Sequence, residues 1–397
     1  MSNNLWHTNH PREFWQCRYP FDEECWLQAV KNALPLLNID FETDDIDDLL
    51  KMTLGEGQFG GKQWNLSPFK KFYYLIKPLV PRTLTRLTRK WYSDPGRQNF
   101  KLDWPIEARY VQFQWEVIRQ VILLTNRDNL LIKQFWPGNS KFALVLTHDV
   151  ETSAGQAYVR KIADLEQSLG FRSSFNFVPE RYPLDYELIS ELKSRGFEIG
   201  VHGLKHDGKL YLSREIFDSR CIKINEYLKK LDAVGFRSPL THRNPEWMQA
   251  LEIEYDLSFF DTDPYEPLPG GSMSIWPYFI GRFVELPYTL AQDYTLQILG
   301  EKKPDNWLTK LDFIEQYSGM ALINTHPDYL LNETLRNMYI NFLHRVNDKH
   351  FYHGLPREVA RWWSARSGIS TNDREKTVFG WNRVSLIDGK IVITQSN

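Results

Sequence analysis

The sequence is poor in cysteine, almost balanced in charge and free of long hydrophobic runs, and each of these absences narrows what the protein can be. Its three cysteines include no Cys-x-x-Cys pair, so neither a thiolate zinc site nor a dithiol redox motif is supported. A formal net charge of −2 argues against a general nucleic-acid binder. No run of about 18 apolar residues occurs, so we expect no transmembrane helix.

The start of the sequence and its sparse cysteines bear on where the protein works. MSNNLWHTNHPREFWQ lacks the basic start and the apolar stretch of a secretory signal. A small, odd number of cysteines is compatible with a reducing compartment. We therefore expect the protein in the cytoplasm.

The periodicity of apolar residues divides the chain into three parts. Residues 1–140 show amphipathic helical patterns and are expected to form a mainly helical accessory region. Residues 141–355 alternate short β-like runs with helix-like stretches, which is the pattern of βα units and a parallel sheet. Residues 356–397 predict a last helix and a β-hairpin that turns at Asp388-Gly389.

Residues 67–92 form a basic segment with seven lysines and arginines and no acidic residue. A basic amphipathic helix of this kind can lie on an anionic membrane surface. The more ordinary interpretation, which we favour, is a helical hairpin broken at Pro78 and Pro81 and docked on the barrel. Flotation with anionic vesicles distinguishes peripheral membrane contact from the docked hairpin.

Polar and ionisable residues follow the ends of several hydrophobic runs in the central part. In chain order, these runs are FALVLTHDVE, FEIGVHGLKH, VGFRSP, LSFFDTD and MALINTHPD. A parallel barrel gathers its strand ends at one face, where such residues form a site rather than core. Carboxylates, a histidine pair, an arginine and a distant histidine at that face predict a metal-assisted hydrolase.

The histidine pair supplies the first part of this prediction. His202 and His206 stand four residues apart, so one divalent metal can bind both imidazoles. The strand end THDVE offers Asp149 and Glu151, of which one can bind the metal while the other removes a proton from water. Alone, such histidines are more often structural and such a carboxylate is more often a helix cap, but their combination favours a site.

The ordered motifs THDVE, HGLKH, FRSP, FDTD and THPD resemble those of the NodB-homology polysaccharide deacetylases, carbohydrate esterase family 4. The resemblance covers residues 142–330. It implies an α/β fold with a distorted (β/α)7 barrel, and metal-dependent removal of an acetyl group from an N-acetylated sugar. It also implies a divalent metal cofactor, for which zinc is our expectation.

The resemblance assigns roles to individual residues. Asp149 takes the position of the catalytic base, and His202 and His206 are metal ligands. The second aspartate of the usual Thr-Phe-Asp-Asp motif is replaced here by Val150, which cannot bind a metal. Some relatives carry Asp-x-Asp instead, and by that pattern Glu151 takes the missing metal role.

The later motifs supply the remaining catalytic roles. Arg237 of the Arg-x-Pro motif would orient Asp149, and His326 of the final His-Pro motif would protonate the leaving amine. Asp261 or Asp263 would hold the other ring nitrogen of His326, and we choose Asp263. FDTD departs from the aromatic-containing fourth motif of the family.

The expected substrate is an amino-sugar glycan or a lipid-linked glycan precursor. The expected substrate contacts are His242, Arg243 and Tyr265, although each is equally common in a structural role. Two alternatives stay open. The loss of a ligand at Val150 is compatible with a barrel that binds glycans without catalysis, and related barrels hydrolyse other non-peptide carbon–nitrogen bonds.

Overall fold

A computed structural model describes residues 4–39, 43, 45–61, 63–66, 68, 100–369 and 379–395. Apart from Pro68, the basic segment 67–92 lies outside these residues, so both interpretations of it stay predictions. Within the described part of the chain, no helix combines the length and the apolar character needed to cross a membrane.

The helices begin where the sequence offers polar caps. Asp22, Asp185 and Ser213 each accept a hydrogen bond from a backbone N–H group in the first turn of a helix. The α-helices of the described residues are α1 (Pro11–Trp15), α2 (Glu23–Ala33), α3 (Ile46–Met52), α4 (Arg109–Leu124), α5 (Ser153–Ser168), α6 (Tyr186–Ser194), α7 (Arg214–Leu231), α8 (Pro245–Met248), α9 (Asp293–Leu299), α10 (Asp305–Gln316), α11 (Glu333–Asn347) and α12 (Pro356–Arg366).

The strands of the central part are short and buried, as expected for a parallel sheet that is covered on both sides. The strands of the described residues are β1 (Asn129–Lys133), β2 (Ala143–Val150), β3 (Ser174–Phe177), β4 (Glu198–His202), β5 (Gly235–Arg237), β6 (Tyr255–Asp256), β7 (Tyr278–Ile280), β8 (Phe283–Glu285), β9 (Met320–Thr325), β10 (Tyr352–His353), β11 (Trp381–Ile387) and β12 (Lys390–Gln395).

Seven of these strands form the barrel, in the order β2-β3-β4-β5-β6-β8-β9, with parallel pairing. The ring closes just after β8, where the backbone N–H group of Leu290 donates to the carbonyl oxygen of Leu322 at 3.1 Å. β7 adds an antiparallel edge to β8, and β10 pairs with the start of β2. The predicted distorted (β/α)7 barrel is confirmed.

The strand register decides which side chains meet inside the barrel. Asp149 is opposite Asn176 on β3, and His202 is opposite Arg237 on β5. Register partners point to the same side of a sheet, and successive residues point to opposite sides. Asp149 therefore faces the same side as Asn176, while Val150 faces the other way.

The first and third parts of the chain share one small sheet. β11 and β12 form the predicted hairpin, and β1 pairs antiparallel with β11. The first and third parts of the chain are therefore joined by backbone hydrogen bonds. The boundaries at 140 and 356 stay predictions.

A buried ion pair fastens the N-terminal part to the barrel. Nε of Arg243 donates to Oε2 of Glu56 at 2.8 Å, and Nη2 of Arg243 donates to Oε1. The backbone N–H group of Gly271 and the indole N–H group of Trp64 also donate to Glu56, at 2.8 and 3.0 Å. Both charges are almost fully removed from solvent.

Replacement of Glu56 by alanine should therefore be strongly destabilising, because it leaves the guanidinium of Arg243 buried without its partner. We expect a loss of roughly 3–5 kcal/mol in the free energy of unfolding, measured by denaturant titration. Glu254→Ala, which breaks the exposed pair with Arg361, is the control and should cost less than about 1 kcal/mol. Equal losses in the two variants would contradict this assignment.

Candidate metal and catalytic site

The side chains of the site come from the carboxyl ends of separate strands. Asp149 lies near the end of β2, His202 ends β4, Arg237 ends β5, and His326 directly follows β9. Parallel strands place these ends on one side of the barrel, so residues far apart in sequence meet there. The site thus sits where catalytic groups of such barrels are normally found.

Glu151, His202 and His206 form a compact set of ligand atoms that all lie within 4.8 Å of one another. Oε1 of Glu151 is 2.8 Å from Nε2 of His206 and 3.7 Å from Nε2 of His202. Both Nε2 atoms are buried, and neither has a hydrogen-bond partner among the described residues. Buried, unpartnered nitrogens facing a carboxylate fit a divalent metal.

The second nitrogen of His202 fixes the orientation of this ligand. Nδ1 lies 3.1 Å from the backbone carbonyl oxygen of Arg237. A carbonyl oxygen only accepts, so Nδ1 carries the proton and Nε2 presents its lone pair to the site. Metal-binding histidines are commonly held in this way.

Electrostatics keep these groups in the forms that bind metals. Burial alone would raise the pKa of Glu151, but His206, His202 and His326 hold the pKa of this carboxyl well below its usual range. Burial lowers the pKa of His206, although Glu151 opposes this shift. A carboxylate beside a neutral imidazole is the protonation state that metal binding requires.

Val150 occupies the position of the usual metal-binding aspartate but points away from the metal ligands, whereas Glu151 points toward them. Val150 is fully buried and faces away from Asp149, and its carbonyl oxygen accepts a hydrogen bond from Tyr182. Glu151 lies just beyond the strand, and its longer side chain turns back to His202 and His206. The geometry agrees with the prediction that Glu151 takes the metal role.

Asp149 is held by three hydrogen-bond donors. Oδ1 accepts from Asn176 at 3.0 Å and from Nη1 of Arg237 at 3.2 Å, and Oδ2 accepts from Asn324 at 2.9 Å. Burial would raise the pKa of Asp149, but Arg237, His202 and His326 outweigh it and hold the pKa well below its usual range. Arg237 therefore contacts Asp149 as predicted, and the carboxylate is anionic.

His326 is held by Asp293 and not by Asp263, so that prediction is wrong. Nδ1 of His326 lies 2.7 Å from Oδ1 of Asp293, and the backbone N–H group of His326 donates to Oδ2 at 2.7 Å. Asp263 instead accepts from the backbone N–H group of Tyr265 and from the hydroxyl of Tyr288. The other candidate, Asp261, pairs with Lys310 at 2.5 Å.

The contact with Asp293 sets the charge of His326. Burial alone would lower the pKa of His326, but Asp293, with help from Glu151 and Asp149, raises the pKa to about 10. The imidazole is therefore cationic at neutral pH. Its Nε2 atom, 3.6 Å from Oε1 of Glu151, carries a proton at the edge of the metal set.

The sequence held only a weak signal for Asp293. It is followed directly by Tyr294, so it stands beside an aromatic residue, as Asp261 does beside Phe260. Asn176 and Asn324 were also missed, because single asparagines within apolar strands form no motif.

The predicted substrate contacts are mostly buried. The prediction that Arg243 binds substrate is wrong, because its guanidinium is engaged by Glu56. His242 is as buried as Asp149 and His202, and its role as a substrate contact stays a prediction. Both follow a 3-10 turn, Pro239–Thr241, that directs the chain inward. Tyr265 is half-buried and stays a predicted contact.

No family model and no curated protein matches the sequence. Solved structures do. A protein from Mycobacterium smegmatis assigned as a polysaccharide deacetylase is 17% identical, with a TM-score of 0.48, over 61% of this chain and 96% of its own. An allantoinase is 15% identical, with a TM-score of 0.47, over 59% of this chain and 93% of its own.

A pseudoenzyme of carbohydrate esterase family 4 from Bacillus anthracis also matches. It is 13% identical, with a TM-score of 0.38, over 56% of this chain and 66% of its own. Because identities and TM-scores are low, the function of this chain is inferred from its own side chains.

Replacement of Asp293 by asparagine should lower the pKa of His326, because the negative charge that stabilises the imidazolium is removed. NMR titration of selectively labelled histidines in the metal-free protein measures this shift directly. Asp263→Asn is the matched control and should leave the pKa of His326 unchanged. A pKa of His326 that falls in Asp263→Asn and stays unchanged in Asp293→Asn would show that Asp263 is the partner of His326.

Proposed function

We propose that the protein is a metal-dependent hydrolase that removes the acetyl group from an N-acetylated amino sugar in a glycan or glycan precursor. The observation that carries the proposal is the juxtaposition of three chemically distinct parts in one buried cluster. These parts are the ligand set of Glu151, His202 and His206, the anionic Asp149 and the cationic His326.

Each part has a defined task in amide hydrolysis. Glu151, His202 and His206 would hold a divalent metal, which would supply polarisation of the acetyl carbonyl and a water pKa lowered toward ~7. Asp149 accepts a proton from the attacking water through Oδ2. This oxygen accepts one hydrogen bond from the protein, whereas Oδ1 accepts two. His326 donates the proton of Nε2 to the nitrogen as the carbon–nitrogen bond breaks, so acetate and a free amine are formed.

The charge pattern favours catalysis over glycan binding alone. Burial of a carboxylate or an imidazolium is unfavourable unless each is paired. Here a base and an acid are each held ionised by a dedicated partner, Arg237 for Asp149 and Asp293 for His326. Opposite pKa shifts in one buried cluster are typical of a catalytic site.

The sugar and the setting rest on the sequence. The motif resemblance supports an N-acetylated amino sugar as substrate, and the three sparse cysteines are compatible with a glycan precursor in a reducing compartment. The basic segment 67–92 is compatible with a lipid-linked form of that precursor.

Metal binding should depend on Glu151 and His202. The wild-type protein should bind one zinc ion per chain, and Glu151→Gln and His202→Ala should each weaken binding by at least about 10-fold, since each removes a ligand. Isothermal titration with zinc measures this. His353→Ala, which changes a histidine outside the site, is the control and should bind like the wild type.

Catalysis should follow metal loading. The zinc-loaded protein should release acetate from N-acetylhexosamine oligosaccharides, and a chelator should abolish this. Asp149→Asn and His326→Ala should each lower kcat by roughly 10²–10⁴-fold while zinc stays bound. A zinc-loaded protein that binds such glycans without turnover would support a binding module. Hydrolysis of cyclic imides or ureides instead of acetamides would reassign the substrate class.

A further inference from the structure

Two asparagines to which the sequence analysis assigned no role hold the carboxylate of Asp149. Nδ2 of Asn176 donates to Oδ1 at 3.0 Å, and Nδ2 of Asn324 donates to Oδ2 at 2.9 Å. Both asparagines are fully buried. Each oxygen of Asp149 thus has an amide donor of its own, in addition to the contact of Arg237 with Oδ1.

The orientation of both amides is fixed by donors that bond their oxygens. The hydroxyl of Ser174 donates to Oδ1 of Asn176 at 3.2 Å. Oδ1 of Asn324 accepts from Nη1 of Arg237. A flipped amide would turn a second oxygen toward the Asp149 carboxylate, so the Nδ2 groups must face it.

Gly200 provides the space that Asn176 occupies. It is the register partner of Asn176 on the neighbouring strand β4. A Cβ atom at position 200 would lie 2.0 Å from Oδ1 of Asn176, which is far inside van der Waals contact. Gly200 has none of the positive φ values found at other glycines. Glycine is therefore required here for space and not for backbone conformation.

We propose that Asn176 is a positioning residue for Asp149, and that Gly200 is glycine so that Asn176 can reach it. Together with Arg237, Asn176 occupies Oδ1 and leaves Oδ2 as the oxygen that accepts the proton of water. Oδ2 lies on the ligand side of the site, 3.9 Å from Nε2 of His202. The inference rests on the proposed hydrolase function and adds Asn176 and Gly200 as residues that position the catalytic base.

A double-mutant cycle on zinc-loaded protein tests the proposal. Asn176→Ala and Gly200→Ala should each lower kcat by roughly 10- to 100-fold, which is the effect of losing a hydrogen bond to a buried charge. KM and zinc affinity should stay within about 2-fold of the wild type, because Asn176 bonds to Asp149 and not to the metal ligands. The double variant should be no slower than Asn176→Ala, since Gly200 acts only through Asn176.

Gly235→Ala is the matched control for overpacking. Its Cβ atom would lie 2.0 Å from the ring of Tyr255 on the neighbouring strand, and the hydrogen bonds of Asp149 involve neither residue. It should lower the melting temperature and leave kcat unchanged.

Three results would overturn the proposal. They are an unchanged kcat in Asn176→Ala, additive losses in the double variant, and a loss in Gly235→Ala as large as that in Gly200→Ala. Failure of the hydrolase function itself is seen separately, as absence of acetate release by zinc-loaded wild-type protein. In that case a crystal structure of Gly200→Ala decides the positioning role: Asn176 should have lost its contact with Asp149, and a retained contact would refute it.

Discussion

The structure of the site depends on keeping two buried carboxylates charged. Asp149 and Glu151 stand two residues apart at the end of one strand, where burial alone would favour their neutral forms. Cationic and hydrogen-bonding partners reverse this preference. Arg237 and two asparagines hold Asp149, whereas imidazoles surround Glu151. The arrangement of the site therefore depends on which strands supply the partners of Asp149 and Glu151.

The barrel makes this placement possible because each strand contributes its last residues to the same space. The partners of Asp149 come from β3, β5 and β9, and those of Glu151 from β4, the loop after it and the end of β9. Oε1 of Glu151 lies within 4 Å of the Nε2 atoms of three histidines. Glu151 is thus the metal ligand that also approaches His326, the proposed general acid. Glu151 follows the last residue of β2, and its longer side chain lets its carboxylate reach His202 and His206. Val150 is buried on the opposite side of the strand.

The sequence was sufficient for the barrel and for most of the site. Alternating strand and helix patterns are a local property, and the ionisable residues of the motifs stand directly at the strand ends that these patterns predict. Tertiary partners were harder to predict. Asp293 begins helix α9, between β8 and β9 and outside the predicted motifs, and Arg243 was assigned to substrate because its partner, Glu56, lies 187 residues away. Asn176 and Gly200 are connected only through strand register, which the sequence does not state.

The central claim is that Glu151, and not a residue at position 150, completes the metal site. A crystal structure of the zinc-loaded protein with anomalous scattering tests it most directly. We predict one zinc ion bound by an oxygen of Glu151 at about 2.0–2.2 Å and by Nε2 of His202 and His206 at about 2.0–2.1 Å. Zinc bound by the two histidines with Glu151 turned away, or zinc found elsewhere in the protein, would contradict the account.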